Sequence, residues 1–136
     1  MPEFSTYCHQ CGNKVAALCG ETAIDGRLRW YHTYRCPDCL AVIEADAIGF
    51  PPDDVRELIL HESGEWAVLV PVDGDVRRRI TRVLRDHLNM SLREVVECLR
   101  QAPATVYIGT RVEAEWLAQV FRDLGVSSSI VPHENS

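Results

Sequence analysis

Four cysteines fall into two pairs of equal spacing, Cys8-His-Gln-Cys11 and Cys36-Pro-Asp-Cys39, with residues 12–35 between them. A Cys-x-x-Cys segment turns tightly and aims two thiolates at one point. Two such knuckles complete a tetrahedral sulfur site, a donor set that suits Zn²⁺. Iron takes the same ligands and is the rival metal. A redox role is the weaker reading, because one pair would suffice for it and no βαβ pattern surrounds either. Cys19 and Cys98 lie outside the pairs and read as small packing residues. His9 and His32 could replace a ligand chemically, but four thiolates already fill a tetrahedral site.

The elements that must position these thiols are short strands. Residues 13–19 and 27–35 read as a hairpin, with Asp25 and Gly26 as its turn signal. On the second strand Leu28, Trp30, His32 and Tyr34 alternate with Arg27, Arg29, Tyr31, Thr33 and Arg35. Residues 41–47 are a third strand, and Gly12 suits the positive φ that commonly follows a knuckle. With these residues in place, segment 8–47 resembles the zinc ribbon family. A stretch this short buries too little apolar surface to fold unaided, so the metal is expected to hold it together. Arg27, Arg29, Trp30, Tyr31, Tyr34 and Arg35 are also the residue types that stack on and neutralise single-stranded nucleic acid. Aromatics that simply pack the ribbon are the favoured reading, because this half of the chain is acidic.

The 136 residues suit one ordinary domain or two very small ones, and the composition, 46% hydrophobic and 25% charged, is that of a globular chain. No apolar run approaches the ~20 residues that span a bilayer. The segment MPEFSTYCHQCG has neither a basic start nor an apolar stretch, so a cytoplasmic location is expected, where clustered cysteines bind metal rather than form disulfides. Residues 1–62 hold ten acidic and five basic side chains, and residues 63–136 hold ten and nine. The expected organisation is a zinc ribbon over 1–47, a linker with a short helix over 48–63, and a second domain over 64–136. In the linker, Pro51 and Pro52 precede Asp53, and Val55, Leu58 and Ile59 form one apolar side.

The second domain reads as β-α-α-β-α-β. A valine-rich strand covers 65–72, and Asp73 caps a helix whose stripe is Val76, Ile80, Val83, Leu84, His87 and Leu88. Capping boxes at Ser91/Glu94 and Thr110/Glu113 open two more helices, with stripes Leu92, Val95, Val96, Leu99 and Ala114, Leu117, Ala118, Phe121, Leu124. Strands at 104–108 and 126–131 complete the order. The fold class is therefore α+β: a small β zinc ribbon, then a two-layer domain. His87 is expected in the core. Five of the ten residues in VRRRITRVLR, 76–85, are arginine. Arg78, Arg82 and Arg85 fall on the outer face of the first helix with Arg77 and Arg79 beside them.

The stretches LREVVECLRQAPATVYIGT and EAEWLAQVFRDLGVSSSIV make residues 65–132 resemble the C-terminal domain of the bacterial ribosomal stalk protein. In that family a basic helix face binds acidic surfaces of translational GTPases. The resemblance places Arg77, Arg82 and Arg85 on that face and Arg93 at the next helix start. Asn89-Met-Ser91 stands where the family has a glycine-rich turn, and a zinc ribbon replaces its dimerising helices and hinge. TVYIGTRVEAEWLAQV is also similar to the Clp-protease adaptor family, which shares the fold. Its substrate-binding Asn-Asp-Asp stretch is only faintly echoed by Val72-Asp-Gly-Asp75.

No nucleophile with a base and an orienting partner appears, and no phosphate-binding glycine loop, so a non-enzymatic adaptor is expected. Its partner-binding residues are Arg77, Arg78, Arg82, Arg85, Arg93 and Trp116, and its partner is an acidic protein surface associated with translation. Nucleic-acid regulation through the ribbon hairpin and a Clp-adaptor-like role are the alternatives. Trp116 lies off its helix stripe with Val112 and Val120, on a face that either the ribbon or linker helix covers or a partner uses.

Overall fold

The computed structural model describes residues 3–134. The chain divides into two compact units, Met1–Ser63 and Gly64–Ser136. Strands and helices are present in both, with all strand pairing antiparallel, and the class is α+β. Among the described residues no helix is long and apolar enough to cross a membrane.

The first unit is a four-stranded sheet of order β1-β2-β3-β4, with β1 at Glu3–Tyr7, β2 at Lys14–Ile24, β3 at Arg27–Arg35 and β4 at Val42–Ile48. β1 escapes the sequence reading because EFSTY offers only Phe4 and Thr6 to mark its inward side. β2 runs five residues further than expected, to Ile24. Asp25 (φ 54°) and Gly26 (φ 75°) then make the hairpin turn with both central residues left-handed, as a two-residue loop between twisted strands requires. Pairing of Cys19 with His32 and Glu21 with Trp30 fixes the register and with it the two faces.

One face is covered. Phe4 and Cys19 of the sheet pack with Val55 and Ile59 of α1 (Asp53–Ser63), and Trp30 and Leu58 border the cluster. Segment 53–63 is therefore not a linker. Its apolar side closes the ribbon sheet, and only residues 49–52 connect the two. A second cluster, Val15, Ala17 and Tyr34 with Cys8 and Cys36, joins the sheet to the thiol site.

The second unit has the order β5 (Glu65–Val70), α2 (Gly74–Leu88), α3 (Leu92–Cys98), β6 (Ala104–Gly109), α4 (Arg111–Asp123), β7 (Ser129–His133). β5 is the central strand of the order β6-β5-β7, with a register shift between Val68 and Leu69. Ile80, Val83 and Leu84 of α2 and Ala114, Leu117 and Phe121 of α4 are buried with Val68 and Val70. Both capping boxes are closed. Ser91 accepts from Glu94 N–H and Thr110 from Glu113 N–H, each at 3.1 Å. α2 ends on Asn89 at φ 55°, where asparagine takes the left-handed position that glycine usually fills and donates its N–H to the Leu84 carbonyl.

Four stripe assignments are corrected. His87 is exposed, and its ring stands edge-on to Trp116 with centroids 5.8 Å apart. Leu92, Val96 and Leu124 are also exposed. α3 has only seven residues, so a single i, i+4 line, Val95 and Leu99, reaches the core. Leu124 has left the helix and sits at its C-cap.

Candidate metal centre

Each knuckle is built by the same pair of backbone bonds. Cys8 N–H donates to Asn13 C=O at 2.8 Å and Gly12 N–H to Cys8 C=O at 3.0 Å. In the second, Cys36 N–H donates to Ala41 C=O at 2.8 Å and Leu40 N–H to Cys36 C=O at 3.0 Å. The bonds turn the chain so that both thiols of each pair point inward. The turn requires positive φ just after the second cysteine. Gly12 meets it at 77° without cost, whereas Leu40 adopts 65°, an uncommon conformation for a side chain branched at Cγ.

The four Sγ atoms of Cys8, Cys11, Cys36 and Cys39 all lie within 4.8 Å of one another. Cys8 and Cys39 stand 3.5 Å apart and Cys11 and Cys36 3.6 Å. A tetrahedron with metal–sulfur bonds of about 2.3 Å has edges of about 3.8 Å, so the thiols are already spaced for a four-coordinate ion. This group is positioned for metal binding. Its surroundings favour negative charge unevenly. The N–H of Cys11, and that of Gln10 at 3.4 Å, hold the Cys8 thiol down to about 6. For Cys11 the Asn13 N–H pulls the same way, but burial and the thiols of Cys36, Cys39 and Cys8 outweigh it and push it up to about 12. Cys39 is also raised: the pull of the Ala41 N–H is overcome by burial and by the thiols of Cys8 and Cys36. Without a cation the quartet cannot ionise fully.

Neither histidine joins the thiols. His9 gives its backbone N–H to Tyr34 Oη at 3.0 Å and its Nδ1 is bonded to the same oxygen. Tyr34, two residues before Cys36, thereby ties one knuckle to the other, a role sequence reading did not assign. Asn13 Nδ2 donates to Asp38 at 3.1 Å and makes a second tie. His32 lies beside Tyr34 on the covered face. Cys19 is buried, and burial, with Asp54 adding to it, pushes its thiol up to about 11. Cys98 donates to Thr105 C=O at 3.3 Å and is raised by burial.

The residues assigned to partner binding are placed as follows. Arg77, Arg78, Arg82 and Arg85 are all exposed on α2, and Arg93 is exposed on α3. Among the described residues Arg82 alone of these is in an ion pair, with Asp86 at 3.8 Å, and both side chains are well exposed. Trp116 is only 8% exposed and lies against His87, so it offers no open contact surface. Val112 and Val120 are half-buried. On the ribbon hairpin, Trp30 and Tyr34 turn to the covered face while Arg27, Arg29, Tyr31 and Arg35 occupy the other. The cations and most of the aromatics are therefore on opposite sides of the sheet. Comparisons with protein-family models, with curated proteins and with solved structures give no match for this chain.

Proposed function

We propose that this chain is a non-enzymatic, zinc-stabilised adaptor that docks an acidic protein surface through the arginine face of α2. Zinc is the favoured metal because four thiolates in a closed tetrahedron are its structural coordination, with no position left open for a reacting water. At this site Cys8, Cys11, Cys36 and Cys39 hold the ion, and Tyr34 and Asn13 keep the two knuckles in register.

The observation that carries the docking reading is the exposure of Arg77, Arg78, Arg82 and Arg85 along one helix with a single loose ion pair among them. In a chain of formal net charge −6, such a concentration of unneutralised cations favours an acidic partner. Exposed Leu92 and Val96 lie on α3, the helix that carries Arg93. Apolar groups beside cations suit a protein surface better than a phosphate backbone. The resemblance to the ribosomal stalk domain adds translation-associated proteins as the partner class. The nucleic-acid alternative is weakened by the separation of Trp30 and Tyr34 from the hairpin arginines.

The test is affinity capture from lysate with the zinc-loaded protein, with and without nuclease. An acidic protein retained after nuclease treatment, and lost with Arg78→Glu, Arg82→Glu and Arg85→Glu together, supports the proposal. Capture that disappears with nuclease, or that survives the triple reversal, overturns it.

A further inference from the structure

The uncovered face of the ribbon sheet is built differently from a solvated surface. Alternation puts Arg27, Arg29 and Arg35 of β3 on it, and beside them Glu44 and Asp46 of β4. The register sets Arg29 opposite Ile48, Thr33 opposite Glu44 and Arg35 opposite Val42, so Asp46 is diagonal to Arg29 and Glu44 to Arg35. Two rows of opposite charge therefore run side by side, yet none of these five residues is in an ion pair among the described residues. Ile24, Val42 and Ile48 are each at least half exposed on the same face. The face is also flat at its middle. Tyr31 lies across Gly20, whose missing Cβ would stand 2.7 Å from the Tyr31 hydroxyl. Open depressions lie on either side of that ring. One is lined by Ile24, Arg27, Arg29 and Ile48, the other by Thr33, Arg35, Val42 and Glu44.

We infer that this face is a self-association surface, on which a second copy of the chain packs face to face with β3 of each copy over β4 of the other. A two-fold axis parallel to the strands, midway between β3 and β4, produces that arrangement, and a C2 contact must be self-complementary in this way. The basic row of each copy then meets the acidic row of its mate. Arg29 and Arg35 reach Asp46 and Glu44 across the interface, and their aliphatic stems cover Ile48 and Val42. Sheets so stacked lie ~10 Å apart, within the reach of arginine from one and carboxylates from the other. A foreign occupant fits less well. Nucleic acid is repelled by the β4 row, and a peptide of either sign satisfies one row while facing the other. A second copy satisfies both. In that arrangement β3 and β4 of one copy overlie β4 and β3 of the other, an overlap of roughly 10 Å by 23 Å, about 230 Å² per copy and below the roughly 1,000 Å² in total of a stable pair. The dimer is accordingly weak and salt-sensitive.

The test is sedimentation of the zinc-loaded full chain from low micromolar to submillimolar concentration. Wild type should move from the mass of one chain, 15.4 kDa, toward twice that value as concentration rises. Arg29→Glu with Arg35→Glu should weaken association at least about tenfold, and so should Glu44→Arg with Asp46→Arg, because each sets like charges against each other. Mixing the two double variants should restore a dimer of one copy of each, since both row contacts then become complementary. That outcome also excludes misfolding as the cause of the separate losses. A wild type that stays monomeric throughout, association unaffected by either reversal, or failure of the mixture to pair overturns the inference.

Discussion

Cys8 and Cys11 have opposite tendencies within one knuckle, and the difference bears on how metal is held. Before a cation arrives, Cys8 sits at about 6 while Cys11 is driven to about 12 and Cys39 is raised. Binding at neutral pH must therefore expel protons from Cys11 and Cys39 at least, so affinity rises with pH and falls as acid returns those protons. Zinc affinity measured by competition against a chelator should increase about a hundredfold or more per pH unit near neutrality, corresponding to two or more protons released. A slope near zero would mean that the four thiols are not the ligands. One zinc per chain is expected by elemental analysis, and Cys11→Ser or Cys36→Ser should remove it. Cys19 and Cys98, both raised by burial, should react slowly with thiol reagents in the loaded protein.

Among the elements, α4 shows how a helix start is fixed inside a core. Thr110 and Glu113 are fully buried, and the Glu113 carboxylate accepts from Tyr107 Oη at 2.6 Å and from Thr110 N–H at 3.2 Å. A carboxyl group enclosed in this way is costly to leave short of a donor. Tyr107→Phe should destabilise the second unit by about 1.5–3 kcal/mol, and Thr110→Ala by about 1–2 kcal/mol through loss of the cap. Denaturant unfolding followed by far-ultraviolet circular dichroism measures both. An unchanged midpoint for Tyr107→Phe would show that Glu113 needs no donor from β6. In the ribbon, β2 and β3 pair across Gly20 because that residue has no side chain to displace Tyr31. Gly20→Ala should lift the Tyr31 ring from the sheet, with a loss confined to the open face.

For the molecule as a whole, the two units draw stability from different sources. The first has small clusters around Phe4, Cys19, Val55 and Ile59 and around Tyr34 and the thiols. The second has an apolar core centred on Phe121, Leu84, Ile80 and Val68 and contains no residue of the thiol quartet. Chelation of zinc should therefore raise amide hydrogen exchange across β1–β4 while β5, α2 and α4 keep their protection. Simultaneous loss of protection in both would refute independent stabilisation. Reversing Arg82 and Arg85 to glutamate should change the unfolding midpoint little, since both side chains are exposed.

The sequence by itself determined what depends on local chemistry. Two Cys-x-x-Cys pairs specify a thiolate site wherever the strands bring them together. Strict alternation in RLRWYHTYR assigns the sides of β3, and Ser91/Glu94 and Thr110/Glu113 mark helix starts through bonds formed three residues apart. Contacts made at a distance were decided only by the tertiary structure. EFSTY becomes a strand because β2 offers it an edge. Residues 53–63 become the lid of the ribbon, rather than a linker, because Phe4, Cys19 and Trp30 together present an apolar face that no one segment reveals. Periodicity counts Leu92, Val96 and His87 as inward because it fixes a helical face but not how much of that face finds a neighbour. Trp116 shows the converse. It lies off the stripe of α4 yet is buried edge-on to His87, because a helix packed by more than one element buries more than one side.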